Sequence, residues 1–556
     1  MLNETKLEYR IQQAIDNGDI LSAAIAIVKG NEIIYANGFG QTCVEEPALP
    51  VTPDTLHLIL LTSRVITTLM ILRLVEQRML DLETPIANYL PGYIFHDNPD
   101  YGRKLTLRHL LGETSGLASG GRGWGPNNPD DLRRFVWEDF SRFAFHVEPG
   151  KLPEHSNNPI LAAHVAEAVT GQYFAELVQE WVLDPLDMQH TFYDRAVAMT
   201  YPLAQVHQRD EAGNFQVVHR FPDNTMGNSD FWCISSARDL AHLLIVLLNE
   251  GKFGTEQFLT PETIRLMCTQ QANYQNQATS SIRDQMEHGE AFGLITGTYK
   301  GIPYLGRPAA DQGIVVAFDL FPEQDLGVVC LTSEGRWPKY ALQFDIYDHL
   351  LNRPSDFQYP QPPSPPDMAH QALWEQFEGH YLNSWGDLVF VQVQNEQLTL
   401  ESDGETYDLV AVNETEYYVD FEGQREPVTF VIEADGSIQH LMIYNGPYIR
   451  TEIDPAFVPD MNAWKAYEGL YVHYQGVNFT DGYYLYVNDD ALYLLEAKHR
   501  GKKPITECDG LVCRLLSQTR FLCDFGRIDL VKADDGKTDI LVRDGGLRYF
   551  RKTKGT

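Results

Sequence analysis

Three short stretches hold side chains whose types and spacing suit chemistry. In "DTLHLILLTSRVITTL" (54–69), a polar Thr62-Ser63-Arg64 step interrupts an apolar run that includes Leu60 and Leu61. In "PEHSNNP" (153–159), His155, Ser156 and Asn157 stand together. In "GRPAADQG" (306–313), Arg307 is followed by Asp311. An unperturbed imidazole titrates at about pH 6.5, so it takes or gives a proton at neutral pH. A guanidinium stays protonated; it is a poor base but a good clamp for a carboxylate or an enolate oxygen. Ser63 and Ser156 are the hydroxyls that could serve as nucleophiles. Ser63 is followed three residues on by Ile66, however, and no S-x-x-K occurs anywhere in the chain. The other histidines form no H-x-H or H-x-x-x-H group, so neither a metal nor any other cofactor is expected.

Such side chains need elements to position them. The segment 61–79 is apolar on most faces, which predicts a buried helix. "SAAIAIVKGNEIIYANGFG" (22–40) reads as two strands turning at Gly30-Asn31, and "GIVVAFDLFPEQDLGVVCLTSEG" (313–335) as two strands around Pro-Glu-Gln-Asp. "LAAHVAEAVTGQYFAELVQEWV" (161–182) predicts two helices broken at Gly171, and "ARDLAHLLIVLLNEGKFG" an amphipathic helix stopped by Gly251. Ser235 and Ser236 are expected to cap that helix. Strands at both ends with helices between them predict an α+β layer fold.

The chain has 556 residues, more than one core can organise, so two or three domains are expected. Residues 353–368, "RPSDFQYPQPPSPPDM", are too proline-rich for helix or central strand and predict a linker. Beyond it, "LWEQFEGHYL" (373–382) and "AWKAYEGLYV" (463–472) repeat at a period of 90 residues: Trp374 matches Trp464, Phe377 matches Tyr467, and Tyr381 matches Tyr471. Alternating strands follow each copy, which predicts two similar small β-barrels with the matched aromatics in their cores.

A formal net charge of -34 and a pI near 4.8 repel phosphate backbones and anionic lipid, so nucleic acid and membrane surfaces are poor partners. No apolar run approaches the ~20 residues that span a bilayer. The polar N-terminus lacks a signal-peptide pattern, and the seven cysteines form no C-x-x-C pair; a cytoplasmic location with reduced thiols is the expectation.

The first 350 residues resemble the serine β-lactamase-related group of class C β-lactamases, D,D-peptidases, esterases and D-aminopeptidases. The resemblance covers roughly residues 10–350. It rests on "VTPDTL" (51–56), "LRLVEQRMLDLETPIANYLP" (72–91), "LTLRHLLGETSGL" (105–117), "PGKLPEHSNNPILAAHVAEAVTG" (149–171), "SARDLAHLL" (236–244) and "LGVVCLTSEG" (326–335). It implies a β-lactamase-like domain at 1–352, an antiparallel sheet flanked by helices. The linker (353–368) and two lipocalin-like barrels at 369–458 and 459–556 follow, similar to the D-aminopeptidase layout.

The resemblance also implies three catalytic elements, and all three depart here. The S-x-x-K serine falls on Leu61 and its lysine on Arg64. The Tyr-x-Asn element reads His155-Ser156-Asn157. The Lys-x-Gly strand triad falls near Gly306, followed by Arg307-Pro308-Ala309. Removing such a serine costs roughly 10⁶ in turnover, so ordinary β-lactamase or peptidase activity is not expected. Instead, Arg64, His155, Asn157 and Arg307 are expected in one cleft as catalytic groups, with Leu60, Leu61, Ser63, Ser156 and Asp311 around a partly apolar small molecule. This set suits non-covalent acid/base work by a cyclase, isomerase or lyase, of the kind found in specialised metabolism. Two other readings stand beside it. One is a non-catalytic ligand-binding protein on a hydrolase scaffold; the other is a hydrolase whose nucleophile has moved to Ser63 or Ser156. Arg64 could equally form a structural ion pair with Glu154 or Asp311, Arg307 a solvated strand charge, and Thr114-Ser115-Gly116 a structural turn.

Overall fold

A computed structural model of the chain describes residues 3–118, 128–154, 156–210, 212–219, 225–274, 288–311, 313–334, 341–353, 373–383, 387–402, 404–421, 424–443 and 446–451. It also describes residues 465 and 467 and a set of strands between 469 and 551. His155 and the linker from 354 to 368 lie outside the described residues.

The N-terminal part is built on an antiparallel sheet. Its strand order is Glu32–Gly40, Ile20–Lys29, Leu326–Glu334, Ile314–Phe321, Ile302–Gly306, Ile295–Tyr299, Gly289–Glu290 and Ala272–Asn273, with Ala309–Asp311 also pairing to Ile314–Phe321. The first and last strands in sequence are thus neighbours, second and third in this order, with Ile25 opposite Cys330. The predicted hairpins at Gly30-Asn31 and at Pro-Glu-Gln-Asp are both present.

Side-chain alternation explains why helices cover both faces. Along Ile20–Lys29, Ala24, Ala26 and Val28 join the larger core, while Ala23, Ile25 and Ile27 join a second core. The second core is closed by the helices Glu4–Asp16 and Ala341–Leu351, through Leu7, Ile11, Ile346 and Tyr347. The larger core holds the helices Ser63–Glu76, Asn158–Thr170 and Ala237–Leu248.

The helix Ser63–Glu76 has no solvated face over most of its length: every residue from Ser63 to Leu72 is buried. Its polar members must therefore find partners inside the protein. The helix Asn158–Thr170 starts with Pro159 in its first turn and ends at Gly171, where φ is +75°. The helix Ala237–Leu248 is capped by Ser236, whose Oγ accepts from the Asp239 N–H at 3.1 Å. Ser235 does not share that role; its hydroxyl meets Thr191 Oγ1 at 2.8 Å.

The C-terminal part is all-β. One nine-stranded sheet closes nearly on itself, with Gly379–Asn383 lying between Leu388–Gln394 and Gly446–Thr451. A second nine-stranded sheet repeats the same strand order, with Gly469–His473 in the equivalent place. In the first barrel, Phe377 and Tyr381 are fully buried core residues. That barrel docks on the N-terminal part: Met442 packs with Val147 and Leu152, and Lys151 Nζ lies 2.5 Å from Glu433 Oε2. Among the described residues, no helix is long and apolar enough to cross a membrane.

Thr114-Ser115-Gly116 forms a turn held against this docked loop. The Gly150 N–H donates to the Thr114 carbonyl at 2.7 Å, and the His146 N–H to the Gly116 carbonyl at 2.8 Å. Gly116 has φ +71°, and a Cβ there would fall 2.1 Å from the Val147 carbonyl oxygen. Gly116→Ala is therefore expected to destabilise the protein by about 2 kcal/mol or more, read as a lowered Tm in circular-dichroism melts.

Candidate functional site

Five segments distant in sequence converge at the N-terminal end of the helix Ser63–Glu76. Leu60 enters with φ +51°, a left-handed conformation that is costly for a leucine. Leu60–Thr62 make one 3₁₀ turn, and the helix follows from Ser63. Leu60 is buried, whereas Leu61 is half-buried and packs against the larger core. The tight turn thus carries a hydrocarbon side chain at position 61.

Ser63 Oγ donates to the Leu60 carbonyl at 2.6 Å and accepts from the Cys233 N–H at 3.3 Å. Ser156 Oγ donates to the Ala118 carbonyl at 3.0 Å. Both serines are buried, and both hydroxyls are engaged by main chain.

Arg64 is 3% exposed, and the chain's own groups surround it. Its Nε donates to Asp230 Oδ1 at 2.6 Å, its Nη1 to Glu113 Oε1 at 2.6 Å, and its Nη2 to the Ser156 carbonyl at 3.0 Å. The carboxylates that pair with it are thus Glu113 and Asp230, where the sequence had pointed to Glu154 or Asp311. Glu154 instead lies 3.8 Å from His146 Nδ1, with its main-chain N–H on the Glu113 carbonyl at 2.8 Å.

Arg307 is not a solvated strand charge. It occupies the break between Ile302–Gly306 and Ala309–Asp311, is 2% exposed, and meets Glu290 through Nη1 at 3.0 and 3.2 Å. Its Nη2 lies 3.7 Å from Glu113 Oε1, so Glu113 stands between the two arginines. The Arg307 carbonyl accepts from Thr62 Oγ1 at 2.7 Å, which ties this break to the 3₁₀ turn.

The asparagines complete the network. Asn157 Nδ2 donates to Asp230 Oδ2 at 3.3 Å, and Asn158 Nδ2 to Glu113 Oε2 at 3.0 Å. Tyr274 donates its hydroxyl to Glu290. Asp311 ends the short strand Ala309–Asp311, opposite Ile314, and is half-buried.

The structure brings Arg64, Asn157, Arg307 and the Ser156 carbonyl into one buried network, where the sequence had placed them in one cleft. It commits both guanidiniums to internal carboxylates. Glu113, Asp230 and Glu290 are the residues that sequence reasoning missed. A signal existed: two arginines placed in buried elements require carboxylates nearby. Nothing local in "LGETSGL", "GNSDFWC" or "HGEAFG" says which ones.

Charge counting shows how the site behaves. Two guanidiniums face three carboxyls, all buried, so full ionisation would leave one negative charge uncompensated in a poorly solvated interior. Burial pushes the Glu113 carboxyl up to about 7 against the pull of Arg64 and Arg307, with Glu290 and Asp230 adding to the rise. Burial alone depresses the Arg64 guanidinium, but Asp230, Glu113 and Glu290 more than reverse this, so it stays protonated above its ordinary range. The site can hold one proton near neutrality, on a carboxyl that is itself enclosed.

Comparisons with known proteins bear on the fold. The family described as Beta-lactamase matches residues 7–351. Protein flp of Staphylococcus aureus (strain MW2) is 24% identical over 253 residues, 44% of this chain and 49% of that protein. The chain thus spans about half the length of the flp proteins it matches. Penicillin-binding protein 4* of Bacillus subtilis is 24% identical over 466 residues, 76% of this chain and 93% of that protein. Among solved structures, the octameric penicillin-binding protein homologue from Pyrococcus abyssi covers 81% of this chain and 100% of its own, at 23% identity and a TM-score of 0.55. SurE covers 80% and 99%, at 18% identity and a TM-score of 0.64.

Two measurements check the network. Arg64→Leu strands Glu113 and Asp230 and is expected to cost about 3–5 kcal/mol in urea unfolding. The second concerns pH. Glu113 releases its proton near 4.5 when unfolded and near 7 when folded. Between those values the folded state binds more protons, so the contribution to stability falls as pH rises. Asp319, which burial also pushes up to about 7, acts in the same direction. Glu113→Gln is expected to make the stability–pH curve shallower between about pH 4.5 and 7 without flattening it, as followed by urea midpoints.

Proposed function

Because the chain belongs to the β-lactamase family but carries Leu61 and Arg64 where the family's serine and lysine fall, we propose that it acts by binding a small molecule, without an acyl-enzyme. One observation carries this reading. Arg64 has Nε, Nη1 and Nη2 all hydrogen-bonded to the chain's own groups inside the protein, so the cation at the lysine position holds structure together. The engaged, buried hydroxyls of Ser63 and Ser156 speak against a relocated nucleophile. Half-buried Leu61 offers an apolar contact to a ligand at the old nucleophile position.

A second reading has one observation in its favour. A carboxyl titrating near 7, as Glu113 does, suits general acid/base chemistry on a partly apolar substrate by a cyclase, isomerase or lyase. In that reading His155 would be the proton-transfer group, with Arg64, Arg307 and Asn157 as its partners. The enclosure of Glu113 makes binding the better supported of the two.

Incubation with a fluorophosphonate probe and with benzylpenicillin, followed by intact-mass spectrometry, is expected to show no adduct. A covalent adduct on any serine overturns the binding reading. Leu61→Ser alone is expected to remain unlabelled, because the neighbouring Arg64 cannot take the serine proton. Metabolite profiling with and without the protein tests the second reading: turnover abolished by His155→Ala would establish it in place of the first.

A further inference from the structure

A separate groove lies at the other end of the helix Asn158–Thr170. Glu167 stands nine residues beyond Asn158, roughly 14 Å along the helix axis from the ion network. The groove is open to solvent and offers about 440 Å³, within the range of small-molecule sites. One wall comes from the helix Asp131–Glu138 and its N-cap: Asp130, Arg133 and Trp137 recur at helical spacing and share a face. The facing wall is His164, Glu167 and Ala168 on the helix Asn158–Thr170, continued by Gln172 and Tyr173. Tyr89, Leu90 and Pro91 also line the groove.

Two aromatic residues here are well exposed, Trp137 at 38% and Tyr173 at 43%. The tryptophan is held in place. Its ring packs edge-on against buried Tyr93 at 5.3 Å between centroids. Its indole N–H donates to His164 Nε2 at 3.0 Å. An indole nitrogen only donates, so His164 Nε2 accepts and the imidazole proton is on Nδ1. Nδ1 donates to Glu167 Oε2 at 3.2 Å, and Glu167 Oε1 accepts from the Phe174 N–H at 2.9 Å. A relay of three part-buried hydrogen bonds thus fixes the orientation of a partly exposed aromatic wall. Core packing does not require this arrangement, but a binding wall that must not rotate does.

We propose that this groove is a binding site for a neutral saccharide. Exposed faces of Trp137 and Tyr173 suit the apolar C–H faces of a pyranose ring. The Asp130 carboxylate, which accepts from the Tyr173 hydroxyl at 3.5 Å, the Arg133 guanidinium and the Gln172 amide, whose Nε2 also donates to Glu180 at 2.9 Å, have further acceptors and donors for the hydroxyls around its edge. The polar groups argue against charged alternatives. Asp130 and Glu167 disfavour an anion, and Arg133 disfavours a quaternary ammonium held by an aromatic cage. The site is independent of the ion network and of the reading proposed above.

The test is saturation-transfer NMR on the full chain with maltotriose, cellotriose and tri-N-acetylchitotriose, each followed by calorimetric titration. At least one is expected to bind, with the ring protons receiving the strongest transfer. Tyr173→Ala and Arg133→Ala change exposed side chains and are expected to weaken that binding by about tenfold or more while leaving Tm unchanged. Trp137→Ala is expected to abolish it; because that change also removes a packing contact, the two exposed variants decide. Binding by none of the three sugars overturns the proposal. So does binding that survives both exposed substitutions, or tetramethylammonium binding at the groove more tightly than any sugar.

Discussion

The buried contact of Arg64 with Glu113 and Asp230 is the constraint around which the N-terminal part is arranged. A guanidinium with 3% exposure cannot be left unpaired, because an isolated charge in a poorly solvated interior costs several kcal/mol. Its partners lie 49 and 166 residues further along the chain. Satisfying it therefore pins the start of the helix Ser63–Glu76 to the 113–116 turn and to the segment before Ile234–Ser235. Glu113 extends the constraint to Arg307, and Arg307 extends it to Glu290. The net energy of such a network relative to a hydrocarbon core is small or unfavourable. What it supplies is one arrangement of five segments that loses its partners if any one of them moves.

The same constraint limits what Arg64 can do. A lysine one turn from a serine works as a base only when it can release its proton. The carboxyls around Arg64 hold a cation there instead, and a guanidinium gives up a proton far less readily than an ammonium. The backbone holds a costly positive φ at Leu60, and a leucine follows it. Around Arg64 the polar groups answer one another, whereas Arg307 Nε and Nη2 and Asn158 Oδ1 are buried without a hydrogen-bond partner. Burial holds the Glu113 carboxyl protonated to near neutrality against the pull of Arg64 and Arg307, with Glu290 and Asp230 adding to the rise.

The repeat beyond the linker has its own logic. Two copies of one sequence pattern give two sheets of identical strand order, since alternation and turn residues fix register locally. In the first copy the repeated aromatics fill the barrel. The docking of Met442 and Glu433 on the loop carrying Val147, Lys151 and Leu152 ties this barrel to the segment that leads into Asn157.

How much of this was legible in the chain follows from the range of each interaction. The hairpins at Gly30-Asn31 and at 322–325, the break at Gly171, the buried helix at 63–76 and the repeated β modules were readable, because hydrophobic periodicity and turn chemistry act over a few residues. The absence of a serine at position 61 and of a lysine at 64 was equally a matter of sequence. The partners of the two arginines were not. Glu113, Asp230 and Glu290 are chosen by where strands and helices pack, and any of the chain's many acidic residues would have matched them by type. For the same reason the wall shared by Trp137, His164 and Tyr173 was invisible: each helix shows its spacing, but only packing sets one face against the other. The sequence by itself determined the elements and the residue types at positions 61 and 64; tertiary structure alone decided which charges meet, because burial and pairing arise between segments that the chain order keeps apart.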